Sequence, residues 1–101
     1  MTNTALNKII QQDFDLPVKE EATVQDVQNM LSEYINELIQ KDFSRLIFLL
    51  YKIDVSEIKL KQILKEQPKE DAGKIIAHLI IERQQQKIAS RENFNKKKDN
   101  N

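Results

Sequence analysis

The residues that could carry catalysis or hold a metal ion are few in this chain, and their spacing suits neither role. His78 is the only histidine, and Glu82 follows it one helical turn later. A helical zinc site of the H-E-x-x-H type needs a second histidine, which the sequence does not contain. We therefore interpret His78 as a structural residue rather than a ligand or a general base.

The remaining candidates for chemistry are equally sparse. Carboxylates never recur at i, i+3 or i, i+4 on an apolar face, the spacing that a helical metal site requires. The sequence has no cysteine, which removes disulfides, thiolate nucleophiles and cysteine-based zinc sites. Gly73, the single glycine, cannot form a phosphate loop, and we expect a close contact early in the last helix, where a side chain would collide. We predict a non-catalytic protein without a cofactor, a metal or an evident small-molecule substrate.

One group of residues could instead bind nucleic acid. Residues 43 to 66 are compatible with a helix-turn-helix, and four polar side chains project from its second helix: Lys59, Lys61, Gln62 and Lys65. Sixteen basic and sixteen acidic residues cancel, however, so no overall field attracts a polyanion. Arginine, which makes the bidentate guanine contacts, is also scarce. Nucleic-acid binding is therefore the alternative function, disfavoured by the charge balance. Membrane-surface binding is less favoured still, because acidic residues interrupt every helix.

The elements that would position these residues are helical. The chain has 101 residues, one glycine and two prolines, and its apolar residues recur with helical spacing. The sequence predicts an all-α, compact four-helix arrangement with a long C-terminal helix and flexible termini. We expect a flexible N-terminal arm at residues 1–22, a helical domain at 23–94 and a disordered tail at 95–101.

Helix boundaries follow from capping residues. Thr23 with Asp26 predicts a capping box at the start of the first helix, and Asp42 is a suitable N-cap for the second. That second helix, FSRLIFLLYKI, is apolar around nearly its whole circumference, which predicts the most buried position in the fold. Asp54 is expected to cap the third helix, which ends near Glu66. The last helix then runs from Pro68 or Asp71 to about residue 93.

The last helix carries two apolar stripes. The first faces the core, and the second lies roughly 140 to 180° away from it around the helix. From Glu82 onward the helix is expected to extend beyond the bundle. We therefore predict a partner-binding surface, for a second copy or another protein, made by Ala77, Ile81, Ile88 and Phe94. The alternative is that the N-terminal arm around Ile9 and Ile10 folds back over this stripe.

One charged residue on the last helix is expected to pair with a carboxylate of the same chain. Arg83 continues the core-facing line from Ile76 and Leu79, so its charge needs either a carboxylate or contact with water. A buried pair with Asp54 or with Glu57 is the expectation.

The central and C-terminal segments resemble a known kind of protein. The stretch LIFLLYKIDVSEIKLKQIL followed by DAGKIIAHLIIERQQQKIASRENF is similar to a family of small uncharacterised all-helical bacterial proteins. In that family an aliphatic-Tyr-basic-Ile-Asp segment precedes a Lys-rich helix, and Asp-Ala-Gly opens a long helix. The resemblance covers residues 24 to 94. It implies one domain and a cytoplasmic location, and it transfers no site or activity.

The sequence also lacks the usual marks of export. Its first residues, MTNTALNKIIQQDFD, do not form a signal peptide, and no apolar run approaches the roughly 20 residues of a membrane span. We expect a cytoplasmic protein.

Overall fold

A computed structural model of the chain describes residues 3–67 and 71–99, with side chains described as far as residue 93. Within these ranges it contains five helices and no strand. They are α1 (Thr4–Phe14), α2 (Val24–Lys41), α3 (Phe43–Ile53), α4 (Glu57–Glu66) and α5 (Ala72–Asp99). The all-α prediction is confirmed, and the expected four helices are joined by a fifth at the N-terminus.

Helices α2 and α5 form the centre of the fold. They make the most extensive helix-to-helix contact among the described residues, and α1, α3 and α4 all pack against α5. The buried residues of α2 recur every three to four positions, which is helical spacing: Val27, Leu31, Ile35 and Leu38. The core thus lies along α5, and the shorter helices are arranged around it.

The first two predicted caps are confirmed. Thr23 Oγ1 accepts a hydrogen bond from the Asp26 backbone N–H at 3.1 Å, and Asp26 Oδ2 accepts one from the Thr23 N–H at 3.1 Å. Asp42 Oδ1 accepts from the Arg45 N–H at 3.2 Å. These bonds satisfy backbone donors that the first turn of a helix would otherwise leave unpaired.

The predicted cap at Asp54 is wrong. Asp54 ends α3 instead, in the left-handed region with φ 68°, and its N–H donates to Leu50 O at 3.0 Å. Ser56 is the residue that caps α4, since its hydroxyl accepts from the Lys59 N–H at 3.2 Å. The physical reason is that Asp54 still takes part in the hydrogen bonding of α3, so α4 can begin only after a reversal of the chain.

The start of α5 explains the single glycine. Asp71 Oδ1 accepts from the Lys74 N–H at 3.2 Å, and Gly73 N–H donates to Asn36 Oδ1 at 3.1 Å. A Cβ atom on Gly73 would lie only 2.6 Å from the backbone oxygen of Ser32. Helices α2 and α5 therefore approach each other at a distance that only glycine permits, as the sequence predicted.

The predicted flexible arm is largely a helix in the structure. Residues Leu6, Ile10 and Phe14 of α1 are buried in the core. The buried Asn7 Nδ2 lies 3.1 Å from each of three carbonyl oxygens in the connection to α2, those of Lys19, Glu20 and Ala22. Its two N–H groups thus hold that connection against α1. Pro17, Glu20 and Glu21 are exposed in this connection, after the end of α1, and they do not prevent α1 from docking.

The C-terminus also differs from the expectation. The backbone of α5 continues to Asp99, through most of the predicted disordered tail at 95–101. Residues 100 and 101 lie outside the described residues. Across the described ranges, no helix combines the length and apolar character needed to cross a membrane.

Candidate protein-interaction surface

The predicted partner-binding stripe on α5 is covered by the chain itself. Ala77 and Ile81 are both buried. Gln84 lies in the same stripe, three residues after Ile81, and its Nε2 donates to Asp13 Oδ2 of α1 at 2.7 Å. Helix α1 therefore covers the stripe. This corrects the expectation of a free surface and matches the alternative in which the N-terminal segment folds back.

The end of the stripe is only partly free. Ile88 is half-buried and packs against the core. The neighbouring Lys87 donates through Nζ to the carbonyl oxygen of Ile53 at the end of α3. Contacts with the rest of the fold thus continue past Glu82, where the extension was predicted to begin. The side chain of Phe94 lies outside the part of the chain that the structure describes.

Helix α3 presents a free apolar face instead. Four of its apolar residues point into the core: Leu46, Leu49, Leu50 and Ile53. Four others are largely exposed to solvent: Phe43 at 58%, Ile47 at 50%, Phe48 at 62% and Tyr51 at 86%. We call these last four residues the α3 face. The prediction that this helix is the most buried is wrong, because only one of its two apolar sides has neighbours.

The geometry of the α3 face follows from helical spacing. Phe43, Ile47 and Tyr51 are four residues apart and form a ridge along the helix, and Phe48 lies beside Ile47. Helices α2 and α5 contact the opposite side of α3. The ridge is thus an apolar surface about two helical turns long without a cover in the described structure.

An open groove adjoins this ridge. Ile47 and Tyr51 form one wall with Leu50, and Val55 and Leu60 extend the lining towards α4. Its volume is about 360 Å³. The groove gives the α3 face a concave border that could receive side chains from a partner.

Charged residues lie at both ends of the α3 face. Asp42 is exposed at its N-terminal end, and Lys52 is exposed at its C-terminal end. Arg45 turns away from the face, because its Nε donates to Tyr34 Oη at 3.2 Å. This hydrogen bond raises the pKa of Arg45 above its ordinary value. Asp42 and Lys52 lie about 140° around the helix from Ile47, so the ridge of Phe43, Ile47 and Tyr51 is apolar along its whole length.

The predicted Arg83 pair is formed, but it is not buried. Arg83 Nη2 lies 3.2 Å from Asp54 Oδ2, and the Asp54 side chain is 81% exposed. An exposed pair of this kind contributes roughly 0 to 1 kcal/mol to stability. It links the end of α3 to α5, and Glu57 takes no part in it.

The residues proposed for nucleic-acid binding lie on α4, mostly beside carboxylates. Lys59 pairs with Glu82 and Lys61 with Glu57, each at 3.1 Å. Gln62 Nε2 donates to Glu66 Oε1 at 3.2 Å, and Lys65 is exposed. Neighbouring acids thus offset much of the positive field that would attract phosphates.

His78 lies on the surface of α5. Its Nε2 is 3.8 Å from Glu82 Oε2, and the same glutamate binds Lys59. Among the described residues, no three histidine, cysteine or acidic side chains are grouped so as to hold a metal ion.

The sequence does indicate a second apolar side on α3, but that pattern was interpreted as a helix buried on all sides. Eight of the eleven residues of α3 are apolar, more than one buried face requires. The pattern cannot show which side of such a helix its neighbours cover.

Comparisons with protein-family models, with curated proteins and with solved structures found no match to this chain.

Proposed function

We propose that this protein is a non-catalytic helical interaction module that binds a helix of another protein chain through the α3 face. The observation that carries the proposal is the exposure of Phe43, Ile47, Phe48 and Tyr51 along one side of a well-formed helix. The largest contiguous apolar patch on a protein surface is often a site of interaction. Aromatic residues are also the side chains that dominate the energy of protein interfaces.

The size of the surface supports this role. A large aromatic side chain offers about 150 to 250 Å². With the exposed fractions of Phe43, Phe48 and Tyr51, the three rings alone contribute roughly 400 Å² of accessible area. Ile47 adds to this, which places the α3 face within the range of about 300 to 600 Å² that the largest patch of a typical protein reaches.

The shape favours a helical partner. A ridge with i, i+4 spacing fits between the side chains of a second helix. The groove between α3 and α4 can take an apolar residue of that helix beside Tyr51. The ion pairs of Lys59 and Lys61 leave α4 less suited to the alternative, a phosphate backbone.

The test is site-specific photo-crosslinking of the full chain in cells of its native host. A benzoyl-phenylalanine replaces Phe48, and the matched control carries it at Gln11, which is exposed on α1. We expect a discrete adduct from position 48 that disappears when Tyr51→Glu is added, and none from position 11. No adduct at position 48, or one that survives Tyr51→Glu, would contradict the proposed function.

A further inference from the structure

We infer that the occupant of the α3 face is a second copy of this chain, docked with the two α3 helices antiparallel about a twofold axis beside Ile47. The inference rests on the proposed function and names its partner. In a twofold dimer the same surface of both copies forms the contact: where residue i of one copy meets residue j of the other, j also meets i. The surface must therefore be complementary to itself. The order of residues along α3 meets that condition.

The apolar residues of the ridge are symmetric about Ile47. Phe43 lies four residues before it and Tyr51 four residues after it. In an antiparallel pair, Ile47 meets Ile47 of the second copy, and Phe43 lies level with Tyr51 of that copy. Each end of the contact then joins two aromatic rings, and the smaller aliphatic residue occupies the middle, where the helices come closest.

The dipoles of the two helices favour the same orientation. A parallel arrangement would align the two helix dipoles, which is unfavourable, whereas the antiparallel arrangement places the positive end of one beside the negative end of the other. Asp42 and Lys52 lie five residues before and after Ile47, about 140° around the helix from it, so neither charge faces the contact.

The available area fits a dimer of ordinary size. A standard interface buries about 800 Å² per partner, of which somewhat more than half is apolar. The three rings of the α3 face expose roughly 400 Å². Ile47 and the walls of the adjoining groove add further apolar area, so the total is close to the apolar half of such an interface.

The absence of cysteine from the sequence allows a direct test of this arrangement by disulfide crosslinking. Ile47→Cys, Phe43→Cys and Tyr51→Cys each replace an exposed side chain, and Gln11→Cys on α1 controls for random collisions. Under mild oxidation, we expect Ile47→Cys to form a covalent dimer quickly. A mixture of the Phe43→Cys and Tyr51→Cys chains should form the mixed dimer, and each of these two alone should crosslink no faster than Gln11→Cys.

Two outcomes would overturn the inference. Fast self-crosslinking of Tyr51→Cys would show a parallel dimer, and crosslinking of every variant at the rate of Gln11→Cys would show that two copies do not meet at α3. In the second case the photo-crosslinking at Phe48 separates the two proposals. A Phe48 adduct of another mass, lost with Tyr51→Glu, retains the proposed function without the dimer, and no adduct contradicts both.

Discussion

Gln84 Nε2 of α5 donates a hydrogen bond to Asp13 Oδ2 of α1 at 2.7 Å, joining residues 71 positions apart in the sequence. The bond lies within the second apolar stripe of α5, where Ala77 and Ile81 are buried. The stripe therefore belongs to the core of the protein, whereas the exposed apolar residues Phe43, Ile47, Phe48 and Tyr51 lie on α3.

Substitutions in this stripe should affect folding rather than association. Ile81→Glu places a charge at a fully enclosed position, and we expect the free energy of unfolding to fall by about 3 kcal/mol or more. Ile88→Glu, at a half-buried position, should cost about 1 kcal/mol. Urea denaturation followed by circular dichroism measures both. Equal, small losses for the two variants would show that α1 does not cover Ile81.

The hydrogen bonds of Asn7 predict that the stability of the variant Asn7→Asp, relative to the parent, depends on pH. Asn7→Asp puts a carboxylate against three carbonyl oxygens, and we expect a loss on the order of 2 kcal/mol at neutral pH. Burial beside these oxygens raises the pKa of the new carboxyl above its unfolded value of about 3.9. The loss should therefore shrink as the pH falls towards 4, because the protonated group can donate. Thermal melts of both chains across this pH range provide the measurement, and a pH-independent difference would contradict the explanation.

Replacing Gly73 with alanine should destabilise the protein. In an ordinary helix interior Gly→Ala gains roughly 0.5 to 1 kcal/mol. Here the added Cβ would collide with the backbone oxygen of Ser32 and with the Asn36 side chain. Because the backbone atom cannot rotate away, we expect Gly73→Ala to lower the free energy of unfolding by about 1 to 3 kcal/mol. A stabilised variant would mean that α2 and α5 lie further apart than the structure shows.

Asp71 makes a small contribution to stability that depends on pH. The hydrogen bond from Asn36 and then the Lys74 N–H lower the pKa of Asp71 in the folded chain. A lowered pKa stabilises the folded state above the unfolded value of about 3.9, and this stabilisation is lost as the pH falls through the folded value. The parent should therefore have a higher melting temperature than Asp71→Asn at pH 6, and this difference should decrease below pH 4. A difference in melting temperature that does not change with pH would contradict the lowered pKa of Asp71.

The sequence predicted the helices best where local chemistry decides. The Thr23 capping box and the Asp42 cap each depend on residues three positions apart in the sequence. The close contact at Gly73 was predicted because glycine is the residue that permits one, although the sequence did not show that the partner is α2. The missed helix α1 depends instead on distant contacts, those of Asn7 with the following connection and of Asp13 with Gln84. A short amphipathic segment near a proline gives little local indication that such contacts exist.

The exposed apolar surface was predicted on α5, whereas the structure exposes apolar residues on α3, for a related reason. Both α3 and α5 have more apolar sides than one neighbour can cover. Periodicity shows that two sides are apolar, and only the three-dimensional arrangement determines which side is enclosed. Helix α1 covers the second stripe of α5 around Ile81, and no described element covers Phe48 and Tyr51 on α3.

The most direct measurement of association at the α3 face is the solution mass, by light scattering coupled to size exclusion, of the parent chain and of Phe48→Glu. Phe48 is 62% exposed, so the substitution should leave the fold intact, which circular dichroism can verify. We expect the parent to have the mass of two 11.9 kDa chains and Phe48→Glu that of one. A parent that stays monomeric at high concentration, or a Phe48→Glu dimer, would contradict association of two copies through α3.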